Sequence, residues 1–86
     1  MAKYAVEIKP SARREMENLD DSLLSRLVPK IEGLGANPRP SGCRKLRGYK
    51  DQWRIRIGDY RVVYIIDDDR KKVSITRIAH RKDVYE

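Results

Sequence analysis

One cysteine and one histidine in 86 residues leave this chain without an internal disulfide and without the Cys/His set of a metal centre. A lone thiol, Cys43, fits a reducing cytoplasm better than a secretory route, so a cytoplasmic location is expected. The chain has no glycine-rich phosphate loop, which excludes a nucleotide cradle of that kind. No apolar run approaches the length of a membrane span, and Met1-Ala2-Lys3 leads into a strand pattern rather than a signal peptide. Internal repeats and low-complexity segments are missing too. These absences argue for a single domain over residues 1–86 with no metal, no cofactor and no membrane contact.

Positive charge is what the chain has in excess. Twenty Lys and Arg stand against thirteen Asp and Glu, a formal +7, in a domain too small for a second lobe or a buried cofactor cleft. Such an excess favours a polyanionic partner.

Tyr4 to Lys9 alternates, with Tyr4, Val6 and Ile8 on one face, and stops at Pro10; this predicts a first strand. Ser11 reads as the N-cap of a helix from Ala12 to about Leu19. Asp20-Asp21-Ser22 caps a second helix with an apolar stripe of Leu23, Leu24, Leu27, Val28, Ile31 and Leu34. Pro29 predicts a kink or a helix displaced toward its start, since an interior proline removes a backbone donor and costs about 3 kcal/mol. The Gly/Pro-bearing stretch from Gly33 to Gly42 reads as a loop, and its basic end, Arg44-Lys45-Leu46-Arg47-Gly48, leads into the next element. Asp67-Asp68-Asp69-Arg70-Lys71 is a solvated turn, and Val73 to Ala79 a last strand. The expected architecture is α+β: an N-terminal strand, two helices, then a three-stranded antiparallel meander, with the helices packed on one face of the sheet.

The most informative stretch is Trp53 to Tyr64, two alternating runs around Gly58-Asp59. Glycine in the first central position fits a type II′ hairpin turn. That turn pairs Ile57 with Tyr60, Arg56 with Arg61, Ile55 with Val62 and Trp53 with Tyr64. One face is then apolar and suited to the core. The other carries Arg54, Arg56 and Arg61 over Val63 and Ile65, and is expected to look toward solvent or a partner. Opposed like charges weaken a sheet, whereas fixed guanidinium forks suit a phosphate. His80 ends the last strand, which can bring it to the edge of the arginine face, where it is a candidate for proton transfer. Arg81 adjoins it. Tyr85 suits stacking on a base while hydrogen-bonding a ribose. Lys45 and Arg47 are candidate peripheral phosphate contacts.

Lys45-Leu46-Arg47-Gly48, Trp53-Arg54-Ile55-Arg56-Ile57, Tyr60-Arg61-Val62-Val63-Tyr64 and Ile78-Ala79-His80-Arg81-Lys82-Asp83-Val84-Tyr85 together resemble the RelE toxins of the RelE/ParE toxin–antitoxin superfamily, over essentially the whole chain. The resemblance implies a metal-independent endoribonuclease, an mRNA interferase. Such an enzyme enters the ribosomal A site and cleaves mRNA by attack of a ribose 2′-OH, leaving a 2′,3′-cyclic phosphate. It further implies an acidic helical RelB-like antitoxin, with operator DNA reached only through that partner. By motif, Arg54, Arg61, His80, Arg81 and Tyr85 take the catalytic positions, and Arg56, the second basic residue of the same strand, joins that cluster or binds RNA. Lys45 and Arg47 remain peripheral RNA contacts read from their charge. The chain departs from the pattern on the second strand, where arginines replace common lysines and cannot act as bases. A ParE-like gyrase poison and a non-catalytic RNA-binding domain are the alternatives.

Overall fold

Pro10 opens the first helix. Its fixed φ suits the first helical position, where no backbone donor is needed, and helix α1 runs Pro10–Glu17 with Lys9 at the N-cap. Ser11, expected as the cap, instead donates its hydroxyl to the Thr76 carbonyl at 2.9 Å. A computed structural model describes residues 3–46 and 51–83. Before α1 lies strand β1, Ala5–Ile8. After it comes helix α2, Asp21–Ala36, whose N-cap Asp20 accepts from the Leu23 amide at 2.8 Å. Pro29 sits in mid-helix, and α2 is not displaced toward its start. Burial of Leu27, Ile31 and Leu34 outweighs the one lost donor. No helix of the described residues is long and apolar enough to cross a membrane.

The remaining strands are β2 (Arg44–Lys45), β3 (Gln52–Ile57), β4 (Tyr60–Asp67) and β5 (Lys72–His80), followed by a 3₁₀ turn over Arg81–Asp83. They form one mixed sheet in the order β1-β5-β4-β3-β2. β3, β4 and β5 are the expected antiparallel meander. Two features go beyond the expectation. β1 runs parallel to β5, with Val6 beside Val73, and the basic segment Arg44–Lys45, expected as loop, pairs with Arg54 and Trp53.

Both helices cover one sheet face. Ala12, Leu27, Ile31 and Leu34 pack on Ile55, Val62, Tyr64, Val73, Ile75 and Ile78. A regular strand turns residues three apart to opposite faces, yet Ile75 and Ile78 are 0% and 2% exposed in the same core. A β-bulge reconciles them. Val63 pairs with Arg77 but Tyr64 pairs with Ile75, leaving Thr76 as the extra residue that flips the phase of everything after it. Gly35 lets the chain ends of α2 and β1 meet: the Tyr4 amide donates to its carbonyl at 2.7 Å, and a Cβ there would stand 3.0 Å from the Tyr4 carbonyl oxygen.

A polar clamp closes the far end. Arg39 holds Asp68 through both terminal nitrogens, at 3.3 and 2.9 Å, and lies 5.1 Å from the centre of the Trp53 ring. The Tyr4 hydroxyl donates to the same carboxylate at 2.6 Å. The Arg39 guanidinium, helped by Tyr4, holds the Asp68 carboxyl below its ordinary 3.8, at about 2. A depressed folded value means the contribution is complete above about pH 4 and drains away as pH falls toward about 2. Asp68→Asn is therefore expected to lower the melting temperature at neutral pH and to make its decline between about pH 4 and 2 shallower. Parallel melting-temperature profiles for the two proteins over that range would contradict this.

Candidate functional site at the hairpin end

The β3–β4 hairpin is built as its alternation requires. Gly58 has φ +59, with Asp59 outside the positive-φ region, as a type II′ turn needs. Ile57 faces Tyr60, Arg56 faces Arg61, Ile55 faces Val62 and Trp53 faces Tyr64. Arg56 and Arg61 thus oppose one another on the face away from the helices, one pair from the turn. On its other side Arg61 is flanked by Ala79. The Arg81 amide donates to the Asp59 carbonyl at 2.8 Å, which ties the exposed Arg81 to the hairpin tip. Arg56, Arg61 and the backbone of Arg81 thus lie at one end of the sheet, and guanidiniums gathered there suit a doubly charged phosphorane better than a neutral ligand.

Arg54 departs from the expectation. It was expected in solvent with the other two, but it is 2% exposed, whereas Arg56 is exposed and Arg61 half-buried. The reason is its lateral neighbours. Arg54 has Arg44 on one side and Val63 on the other, while β2 ends before reaching Arg56.

His80 is the second departure. Its cross-strand partner is Tyr60, and the two rings meet edge to face at 5.5 Å, on the helix side of the sheet. The bulge at Thr76 causes this: without it, His80 would share the face of Arg56 and Arg61. Its Nδ1 accepts from the Lys82 amide at 3.3 Å, which leaves the proton of a neutral ring on Nε2. Beyond it, Glu15 of α1 accepts from the Ile78 amide at 2.7 Å and meets Arg77 Nε at 3.6 Å.

Lys45 is exposed on the edge strand opposite Trp53, on the face away from Arg54. Arg47 and Tyr85 lie outside the described residues. Sequence reasoning missed Arg44, which stands opposite Arg54. It also missed the bulge, although two isoleucines three apart in one strand were a usable signal. The described residues contain no group of three or more His, Cys, Asp or Glu that could hold a metal ion. Tyr64, wholly buried, donates to the Pro38 carbonyl at 2.8 Å; burial, with Cys43 beside it, raises the phenol far above its ordinary range.

An α+β domain with a mixed five-stranded sheet, helices on one face and a cationic hairpin end is the class these observations define. Residues 6–85 match the family model for the ParE toxin of type II toxin-antitoxin systems, parDE. The chain is 31% identical to the putative toxin RelE1 of Methanocaldococcus jannaschii over 86 residues, 96% of each chain. It is 34% identical to toxin RelG of Mycobacterium tuberculosis over 83 residues, 95% of each chain. Among solved structures, the RelBE2 toxin–antitoxin complex of M. tuberculosis superposes with a TM-score of 0.81 at 32% identity, covering 96% of this chain and 97% of that one. The archaeal RelE–RelB complex of Pyrococcus horikoshii gives 0.83 at 27% identity, covering 98% and 100%. The chain belongs to this family of type II toxin–antitoxin toxins and is a RelE-type toxin.

Proposed function

We propose that this toxin is a ribosome-dependent endoribonuclease that cleaves mRNA in the A site of translating cytoplasmic ribosomes, and that an acidic RelB-like antitoxin silences it. The observation that carries the reading is the gathering of Arg56, Arg61 and Arg81 at the hairpin end. In the reaction the 2′ oxygen forms a bond to the adjacent phosphorus and the bond to the 5′ oxygen breaks. One proton leaves the 2′ hydroxyl and one reaches the 5′ oxygen, giving a 2′,3′-cyclic phosphate and a 5′-OH end. Arg61 and Arg81 neutralise charge growing on the phosphorane, with Arg56 beside them. Tyr85 stacks on a base and holds the nucleotide splayed. Arg54 braces this face from inside the sheet, and Lys45, on the other side of the edge strand, and Arg47 make peripheral RNA contacts. The antitoxin's carboxylates meet the arginines as it folds onto the toxin, and operator DNA is reached only through the antitoxin.

The placement of His80 shifts proton transfer away from it. An electrostatic site needs no strong base, and His80 faces Tyr60 and α1 rather than the arginine pair. His80→Ala is accordingly expected to slow single-turnover cleavage of ribosome-bound mRNA by less than about threefold. A loss of about 10²–10⁴-fold, with a pH dependence removed by the substitution, is what a proton-transfer residue would give.

The ribosome supplies alignment, worth many orders of magnitude, so naked RNA is expected to be cleaved poorly. Comparing single-turnover rates on free and ribosome-bound mRNA tests the reading; equal, codon-blind rates would overturn it. The match to a ParE family model keeps a gyrase poison as the second reading. Inhibition of DNA supercoiling at concentrations that leave mRNA intact would establish that one.

A further inference from the structure

A cleft of about 480 Å³ lies beside the open edge of β3, apart from the Arg61–Arg81 end. One wall is α2 at Pro29, Lys30 and Gly33; the other is the loop from Pro40 to Gly42 and the start of β2. The cleft exists because β2 has two residues. Arg44 and Lys45 cover Arg54 and Trp53, and β3 continues past them to Ile57. Among the described residues, Lys30, Arg44, Arg54 and Arg56 line it and no carboxylate does. Arg26, one turn before Lys30, brings a guanidinium nitrogen to 3.1 Å from where a Gly58 Cβ would stand, so the basic rim runs from α2 to the hairpin turn.

Gly33 is a second, independent sign. Glycine within a helix is destabilising relative to alanine, and a Cβ at Gly33 would meet nothing within 4 Å. Packing does not require a glycine here. Its missing side chain keeps that wall of the cleft open.

We propose that this cleft is a second phosphate-binding site, and that it takes the sugar–phosphate backbone of the same RNA strand next to the phosphate held at the hairpin end. The proposal deepens the nuclease reading and rests on it. Arg56 joins the two places, since it lines the cleft and also opposes Arg61. One strand laid across the β3 edge therefore meets both. Guanidinium forks and a lysine suit phosphate oxygens, while Pro29, Pro40 and Ile55 offer a base an apolar surface. The volume suits a small-ligand site.

The test uses a fluorescein-labelled 2′-O-methyl RNA hexamer, which has no free 2′-OH to react, and reads binding by anisotropy against the full-length toxin. K30Q/R44Q is expected to weaken binding about 10-fold and to reduce the slope of log affinity against log salt by about 1.4, the value for two lost phosphate contacts on a single strand. Gly33→Leu keeps every charge and fills the cleft; it is expected to weaken binding at least about threefold with an unchanged or higher melting temperature. Wild-type affinity in K30Q/R44Q overturns the proposal. Wild-type affinity in folded Gly33→Leu does so as well, because the cations would then act from the open surface. Hexaglutamate binding that Gly33→Leu abolishes, with RNA binding unmoved, would reassign the cleft to an acidic peptide and overturn it likewise. Cleavage of ribosome-bound mRNA by the wild type, measured alongside, separates the two failures. Cleavage with cleft-independent binding sinks the cleft alone, and no cleavage with no binding sinks the nuclease reading and the cleft with it.

Discussion

Arg61→Ala is expected to lower the rate of mRNA cleavage on the ribosome by at least about 10²-fold, the usual cost of removing one preorganised donor from a site of developing charge. The fold should barely notice. Arg61 is half-buried and opposed by Arg56 across the ladder, so truncation relieves a like-charge contact even as it removes some packing. Unfolding free energy should stay within about 1 kcal/mol of wild type. Urea denaturation beside single-turnover kinetics reads both quantities. A stability loss above about 2 kcal/mol would make Arg61 a structural residue and remove the ground for reading its activity loss as chemistry.

Arg54→Ala should do the reverse. A side chain 2% exposed in the middle of a sheet leaves a cavity and disrupts its buried polar contacts when truncated, at an expected cost of about 2–4 kcal/mol. Arg54→Met keeps most of the volume without the charge, and is expected to recover much of that stability. Activity lost in Arg54→Ala but retained in Arg54→Met reports the fold, and activity lost in both reports the guanidinium. Arg56→Ala, exposed on the same strand, is the control and should cost under about 0.5 kcal/mol. Thermal melts giving equal losses for Arg54→Ala and Arg56→Ala would contradict the distinction drawn between them.

The hairpin was legible in the sequence because its information is local. Gly58-Asp59 sets the turn, the alternation sets the faces, and a one-residue slip would bury Arg56 in place of Ile57. The capped helix stripe, Leu27, Ile31 and Leu34, was legible for the same reason. What escaped depends on residues far apart in the chain. Parallel pairing of β1 with β5 leaves no periodic trace. Arg54 is buried partly because a two-residue strand, Arg44–Lys45, comes to lie beside it, and two residues carry no pattern. The orientation of His80 was misread because a single extra residue, Thr76, inverts the strand that carries it. The arginine set was legible as residue types at the right spacing; their different exposures were not.

The most direct measurement is the mapping of mRNA 5′ ends in a translating extract, with the wild-type toxin and with Arg61→Ala. The wild type should produce new 5′-OH ends inside codons occupying the A site, and these should vanish when translation is blocked before elongation. Arg61→Ala should leave the messages intact while still folding. Intact messages with the wild-type toxin, in an extract whose translation or supercoiling it nonetheless inhibits, would contradict the account.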